Sequence, residues 1–214
     1  MISIKKILKI EKLNYIFRNI KNIKNINVLE FGVKEGYSTL MFLKVVDKNK
    51  GSLLSVDINK SLNTFNSKRW KFIQTRDDNF FIIKKYIKKS LDVIYIDSYH
   101  EPNHIKKIFY YYYKYLKPGG FIFLDDISWL PYVKTSYLKN NFSEIINRDT
   151  FDKLLEIYNE NQSNLRLEFN FDSTGTAKFT KLNNKELNEP KMIYNSYFGI
   201  KNTIRKIFKI KPKK

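Results

Sequence analysis

Several acids in this chain stand where one carboxylate would mean little and a group of them marks a cleft. Asp57, the pair Asp77 and Asp78, Asp97, and the pair Asp125 and Asp126 each close or closely follow a short strand-like segment. One Asp at such a place is an ordinary helix cap or turn residue. Four such places on one sheet rim converge on one crevice, because open parallel sheets bind ligands beyond the carboxyl ends of their strands. Asp97, Asp125 and Asp126 together make a hard oxygen site, suited to Mg²⁺ or another divalent cation with waters. A cation held there would lower the pKa of a hydroxyl beside it. The two histidines of the chain, His100 and His104, both follow closely on Asp97. His100 is placed to accept a proton near neutral pH. His104, one helical turn later on the same face, suits structural support.

A second group lies upstream. Gly32 and Gly36 in the stretch Glu30–Thr39 suit a tight strand-to-helix loop that lets backbone approach a ligand. Lys34 stands where a dinucleotide fingerprint has its middle glycine, which disfavours a pyrophosphate cradle. Asp57, about 20 residues after the glycines, is placed to accept hydrogen bonds from ribose hydroxyls.

These residues need elements to hold them. Apolar spacing predicts one or two amphipathic helices over residues 3–24, a strand at 27–31 and a helix from about 37 to 46. Strands are expected at 52–56, 70–74, 91–96 and 121–124, with helices at 79–89 and 101–116 between them. Pro118-Gly119-Gly120 marks a turn. Residues 130–161 read as helical and irregular, and 165–171 and 176–182 flank Asp172-Ser173-Thr174-Gly175 as a hairpin. Five strand–helix alternations argue for an α/β fold, a parallel sheet with helices on both faces. The aromatic run 109–115 sits on a helix and reads as core. Trp129, Pro131 and Tyr132, just past the acidic pair, are candidates for contact with an acceptor molecule.

The segments VLEFGVKEGYST (28–39), LLSVD (53–57), DVIYIDSYH (92–100) and LKPGGFIFLDD (116–126) resemble, in order and spacing, the class I S-adenosylmethionine-dependent methyltransferases. The resemblance runs over roughly residues 26–182. It implies a Rossmann-like, mostly parallel seven-stranded sheet ending in an antiparallel hairpin. It also implies S-adenosylmethionine as cofactor, with Glu30, Gly32, Gly36 and Ser38 around the methionyl end, Asp57 on the ribose and Asp77 near the adenine, Asp78 being an equal candidate by register. Within that class, IDSYHEPNH and FLDD are similar to metal-dependent O-methyltransferases acting on sugars of macrolides and related glycans, and to the cephalosporin-hydroxylase-like group. That likeness implies Asp97, Asp125 and Asp126 as ligands of Mg²⁺, with His100 as general base. The expected reaction is methyl transfer to a hydroxyl of a sugar or small polyhydroxy acceptor.

Composition bounds the alternatives. With 214 residues, 43% hydrophobic and no cysteine, the chain supports one domain and excludes a disulfide scaffold or thiolate site. The net charge of +19 is uneven: residues 1–25 carry +6 and residues 191–214 carry +8, leaving +5 for 26–190. The division is therefore an N-terminal helical extension (1–25), a catalytic domain (26–183) and a basic tail (184–214). An RNA methyltransferase is a second reading, but an acidic rim repels phosphate, so nucleic acid is not the expected partner. A third reading is a non-catalytic module docking through its basic ends. The tail places Tyr197, Ile200, Ile204, Ile207 and Phe208 at helical spacing, which suits peripheral contact with an anionic membrane. No apolar run is long enough to span a bilayer, and 1–25 lacks the apolar core of a secretory signal, so a cytoplasmic location is expected. A homo-oligomer stays open.

Overall fold

The structure, a computed structural model, describes residues 4–60, 65–133 and 142–193. The expected basic tail helix lies outside the described residues. Two short helices open the chain, α1 (Ile4–Ile7) and α2 (Glu11–Ile20). Then follow β1 (Asn27–Phe31), α3 (Tyr37–Lys48), β2 (Ser52–Asp57), β3 (Trp70–Gln74), α4 (Phe80–Ile83) and β4 (Leu91–Ile96). The remainder is α5 (Pro102–Tyr113), β5 (Leu116–Asp125), a 3₁₀ turn at Leu130–Tyr132, α6 (Phe142–Asn159), β6 (Leu165–Asn170) and β7 (Thr176–Lys181).

The seven strands form one sheet in the order β3-β2-β1-β4-β5-β7-β6. The β1–β2, β2–β3, β1–β4 and β4–β5 pairs are parallel, and β7 runs antiparallel to both β5 and β6. The chain reverses direction across the sheet between β1 and β4, so the crevice above that pair is the switch point where such sheets bind ligands.

Alternation along the strands divides the core into two layers. Leu29, Phe31, Ile94, Ile96, Ile122 and Leu124 face α5 and α6, meeting Ile105, Ile108, Phe109, Tyr112, Leu154 and Ile157. Val28, Val93, Tyr95 and Phe123 face the other way, meeting Phe42, Val45 and Val46 of α3. Ile7 of α1 and Leu13, Ile16 and Ile20 of α2 belong to that second layer and are essentially fully buried. Each such side chain contributes roughly 1.5–3 kcal/mol. The first 25 residues are thus packed onto the sheet face rather than set apart from it.

Two elements differ from the sequence expectation. The helix expected over 79–89 ends at Ile83, because its bonds tighten to three-residue spacing: Lys85 N–H to the Ile82 carbonyl and Tyr86 N–H to that of Ile83. Strand β5 starts at Leu116, which pairs with Leu91. The register then slips before Phe121 pairs with Val93, and Pro118-Gly119-Gly120 takes up the slip within the strand. No helix among the described residues is long and apolar enough to cross a membrane.

Candidate active site

A cleft of about 490 Å³ opens above the switch point, lined among others by Gly32, Asp57, Ile58, Asp77, Asp97 and Tyr99. A smaller cavity of about 230 Å³ shares Gly32, Lys34 and Asp97 with it and is closed by Lys12 and Leu13 of α2, Ser38 of α3, Tyr95 and Asp126. Gly32 is the hinge between the two. It has φ +88°, and a Cβ there would sit 1.8 Å from the Asp97 carbonyl oxygen, so the β1 loop can cross the end of β4 only with glycine.

Asp57 ends β2 on the rim. Its Oδ2 accepts the Val33 and Lys34 N–H groups at 2.7 and 3.1 Å, and Oδ1 accepts the Asn59 N–H at 2.8 Å. The same carboxylate that faces the cleft therefore clasps the glycine loop. Asp77 lies on the cleft floor, 2.9 Å from Nε2 of His104 through either oxygen, and accepts the Ser98 hydroxyl. Burial raises the Asp77 pKa, but the hydrogen bonds from His104 and Ser98 outweigh it and hold the carboxyl below its ordinary value. Asp78 turns away, bound by Arg76 and Lys107, and the Arg76 hydrogen bond brings it to about 2. Of the two register candidates, Asp77 is the one in the cleft.

Of the four residues expected around the methionyl end, Gly32 and Ser38 line a cavity, whereas Glu30 and Gly36 line neither. Glu30 is fully buried beneath the loop and lines neither cavity. Its carboxylate accepts the hydroxyls of Ser38, Thr39 and Ser55 at 2.7, 2.8 and 2.6 Å, which fastens the start of α3 to β1 and β2. Ser38 lines the smaller cavity, yet its hydroxyl is committed to Glu30. Gly36, at φ +77°, caps α3, and a Cβ on it would meet the Phe65 ring at 2.7 Å.

Asp97 stands where the two cavities meet, and its carboxylate, that of Asp126 in the smaller cavity and the His100 ring offer ligand atoms within 4.8 Å of one another. His100 Nε2 is 3.5 Å from Asp97 Oδ1 and 3.7 Å from Asp126 Oδ2. Its carbonyl accepts the Thr150 hydroxyl at 3.0 Å, tying this turn to α6. Burial pulls the His100 pKa down, but contact with Asp97 and the charges of Asp126, Asp97 and Asp125 outweigh it, leaving histidine above its usual value.

Asp125, expected beside Asp97 and Asp126 as a cation ligand, is held differently from those two. It shares a strand face with Phe123 and so points toward α2, where it accepts Lys12 Nζ and the Tyr95 hydroxyl, the latter at 3.0 Å. Asp126, at φ +54°, leaves the strand in a left-handed turn that Asp tolerates, and this sends its carboxylate to the mouth. Burial, together with the charge of Asp97, raises Asp125 to about 6 against the pull of Lys12.

Lys12 and Tyr95 are site residues that sequence reasoning missed. Tyr95 had a signal: it lies two residues before Asp97, on the same strand face, and its hydroxyl lies 3.1 Å from Asp97 Oδ2. Lys12 had none, being one of 34 lysines. Trp129 packs edge-on against Phe151 with Arg148 over its ring, so it faces α6.

A family model described as a methyltransferase domain matches residues 29–127. Among solved structures, a candidate caffeoyl-CoA O-methyltransferase from Staphylococcus aureus superposes with TM-score 0.64 at 19% identity, over 85% of this chain and 93% of that one. The MycE methyltransferase of the mycinamycin biosynthetic pathway, solved with Mg and SAH, gives 0.61 at 18% identity, over 83% of this chain and 51% of that one. SAH-bound PaMTH1 of Podospora anserina gives 0.62 at 13%, over 80% of this chain and 78% of that one. At these identities the likeness is one of fold. No curated protein sequence matches the chain.

Proposed function

We propose, from the match of residues 29–127 to a methyltransferase-domain model, that this protein uses S-adenosylmethionine to methylate a hydroxyl oxygen of a sugar or other small polyhydroxy acceptor. The observation that carries the reading is the gathering of His100 and Asp126 around Asp97, the acid that lines both cavities. When bound, S-adenosylmethionine supplies a methyl group on a sulfonium whose departure as a neutral thioether calls for no acid. What the chain must then provide is a place for the cofactor, alignment, and removal of a proton from a weakly acidic hydroxyl.

The larger cleft suits the nucleoside end. Asp57 offers its carboxylate to the ribose hydroxyls, while Ile58 and Tyr99 offer exposed apolar surface to a flat ring. The junction suits the acceptor. Nε2 of His100 takes the hydroxyl proton, and the neighbouring carboxylates of Asp97 and Asp126 stabilise the imidazolium that results.

The donor set also fits a hard divalent cation such as Mg²⁺. Two carboxylates present oxygens at the mouth, and the chain already places a positive charge beside them, with Lys12 Nζ 3.8 Å from Asp126. One imidazole lone pair cannot both ligate and abstract a proton, and a hard cation prefers oxygen, so Asp97 and Asp126 would hold it and leave His100 as base. When bound, the cation supplies positive charge that lowers the pKa of an adjacent hydroxyl. Likeness of fold to MycE, a structure that contains Mg, supports this reading.

Calorimetry with S-adenosylmethionine, followed by methylation of nucleotide sugars with Mg²⁺ or with chelator, tests it. Cofactor binding and Mg²⁺-dependent ether formation are expected, with turnover at least about a hundredfold lower in His100→Ala and cofactor affinity unchanged. Full turnover in chelator, or in Asp97→Ala with Asp126→Ala, would remove the cation. An unaffected His100→Ala would remove the base.

A further inference from the structure

Lys12 belongs to none of the motifs that carry the methyltransferase reading, yet it reaches the centre of the site. It arrives on α2, 113 residues ahead of its partner, and its Nζ donates to Asp125 and lies 3.8 Å from Asp126. The side chain forms part of the smaller cavity beside Asp97 and Asp126. Three carboxylates share this corner, and Lys12 brings an ammonium to them. Asp125 is fully buried, while Lys12 keeps about a quarter of its side chain (23%) in contact with solvent. The acid is therefore fixed and the flexible lysine stem is the partner free to move.

We propose that Lys12 is a tethered cation that competes with a divalent metal ion for the strand-end carboxylates, holding them when the site is empty and swinging off Asp125 and Asp126 when the ion binds. The inference rests on the cation reading above. Its physical basis is that a divalent ion on Asp97 and Asp126 would meet an ammonium only a few ångströms away, and at that range like charges repel strongly. Asp125 would not be stranded when Lys12 leaves, because Tyr95 donates to it at 3.0 Å and Thr176 at 3.4 Å. Metal binding is thereby linked to helix α2, which roofs the smaller cavity.

The test is Mn²⁺ binding, read from the electron paramagnetic resonance of the free ion, in the full-length wild type, Lys12→Met, and Lys12→Met with Asp125→Asn. Lys12→Met should bind Mn²⁺ at least about tenfold tighter than wild type. The double variant keeps the local charge and should return to within about threefold of wild type. Independently, acetylation of Lys12 in the wild type, followed by peptide mass spectrometry, should rise at least about threefold on saturation with Mn²⁺, and this arm does not depend on any variant folding. Equal Mn²⁺ affinity in wild type and Lys12→Met, or Lys12 acetylation unchanged at saturation, would overturn the competition while leaving the cation reading in place. No Mn²⁺ binding in any of the three would overturn the cation reading and this inference with it.

Discussion

The hydroxyl of Tyr95 lies 3.0 Å from Asp125 Oδ2, across the β4–β5 pair, with both residues buried. The same hydroxyl is 3.1 Å from Asp97 Oδ2, so one phenol stands within hydrogen-bond reach of an acid inside the sheet and an acid at the mouth. Tyr95→Phe should lower stability by about 1–3 kcal/mol, the cost of leaving a buried acceptor short of a donor. Urea unfolding checks this through the midpoint at constant slope. An unmoved midpoint would mean the hydroxyl is not needed there.

Two glycines with similar backbone angles should respond differently to alanine. Gly32→Ala places Cβ against the Asp97 carbonyl and should displace the loop, costing well above about 2 kcal/mol and abolishing cofactor binding. Gly119, at φ +78°, has nothing within 4 Å of the place an added Cβ would take, so Gly119→Ala should cost only about 1–2 kcal/mol of backbone strain. Thermal melts with calorimetric titration of each variant distinguish the two outcomes.

Asp57 and Asp78 are both rim acids of this fold, but only Asp57 faces the cleft. Asp57→Ala should weaken S-adenosylmethionine binding at least about tenfold, or about 1.4 kcal/mol, by removing a ribose contact and the clasp on Val33 and Lys34 together. Asp78→Ala, which loses only exposed partners in Arg76 and Lys107, should stay within about twofold. Equal losses would place the nucleoside elsewhere.

Glu30 should make stability depend on pH. Burial raises its pKa from 4.5 to about 7, against the pull of the Ser55, Ser38 and Thr39 hydroxyls. Between those values the folded chain holds a proton that the unfolded chain has lost, so this group's contribution to stability falls as pH rises through the window, by up to about 3 kcal/mol. Asp125, raised to about 6, acts in the same direction. In Glu30→Gln the fall in unfolding free energy from pH 5 to pH 8 should therefore be smaller than in wild type. An identical fall in both would show that Glu30 does not titrate in that range.

The succession of strands along the chain, the crevice at their ends and its acids were legible because they follow from local pattern. Apolar segments ending in Asp57, Asp97 and Asp125 mark strand ends, and parallel strands bring those ends to one side. What a carboxylate does at the rim was not legible. Asp125 and Asp126 are neighbours in sequence, and their opposite fates depend on strand parity and one left-handed turn. The family resemblance implied Glu30 near the methionyl end, without saying what holds its carboxylate. Its face of β1 meets Ser38, Thr39 and Ser55, a relationship among three elements that periodicity alone does not reveal. Lys12 is the extreme case, since only the packing of α2 brings it to the site.

That packing has a kinetic side. The Lys12–Asp125 contact closes a loop of 113 residues, among the long-range pairings that form late because chain ends must meet before the contact rewards them. Strands β1 to β4 can pair while Asp125 still lacks its ammonium. Tyr95 and Thr176 satisfy part of that acid's hydrogen bonding but supply no charge, so the docking of α2 and the completion of β5 favour one another. A refolding experiment that follows α2 should therefore see it dock together with the final strands, even though its residues come first in the chain.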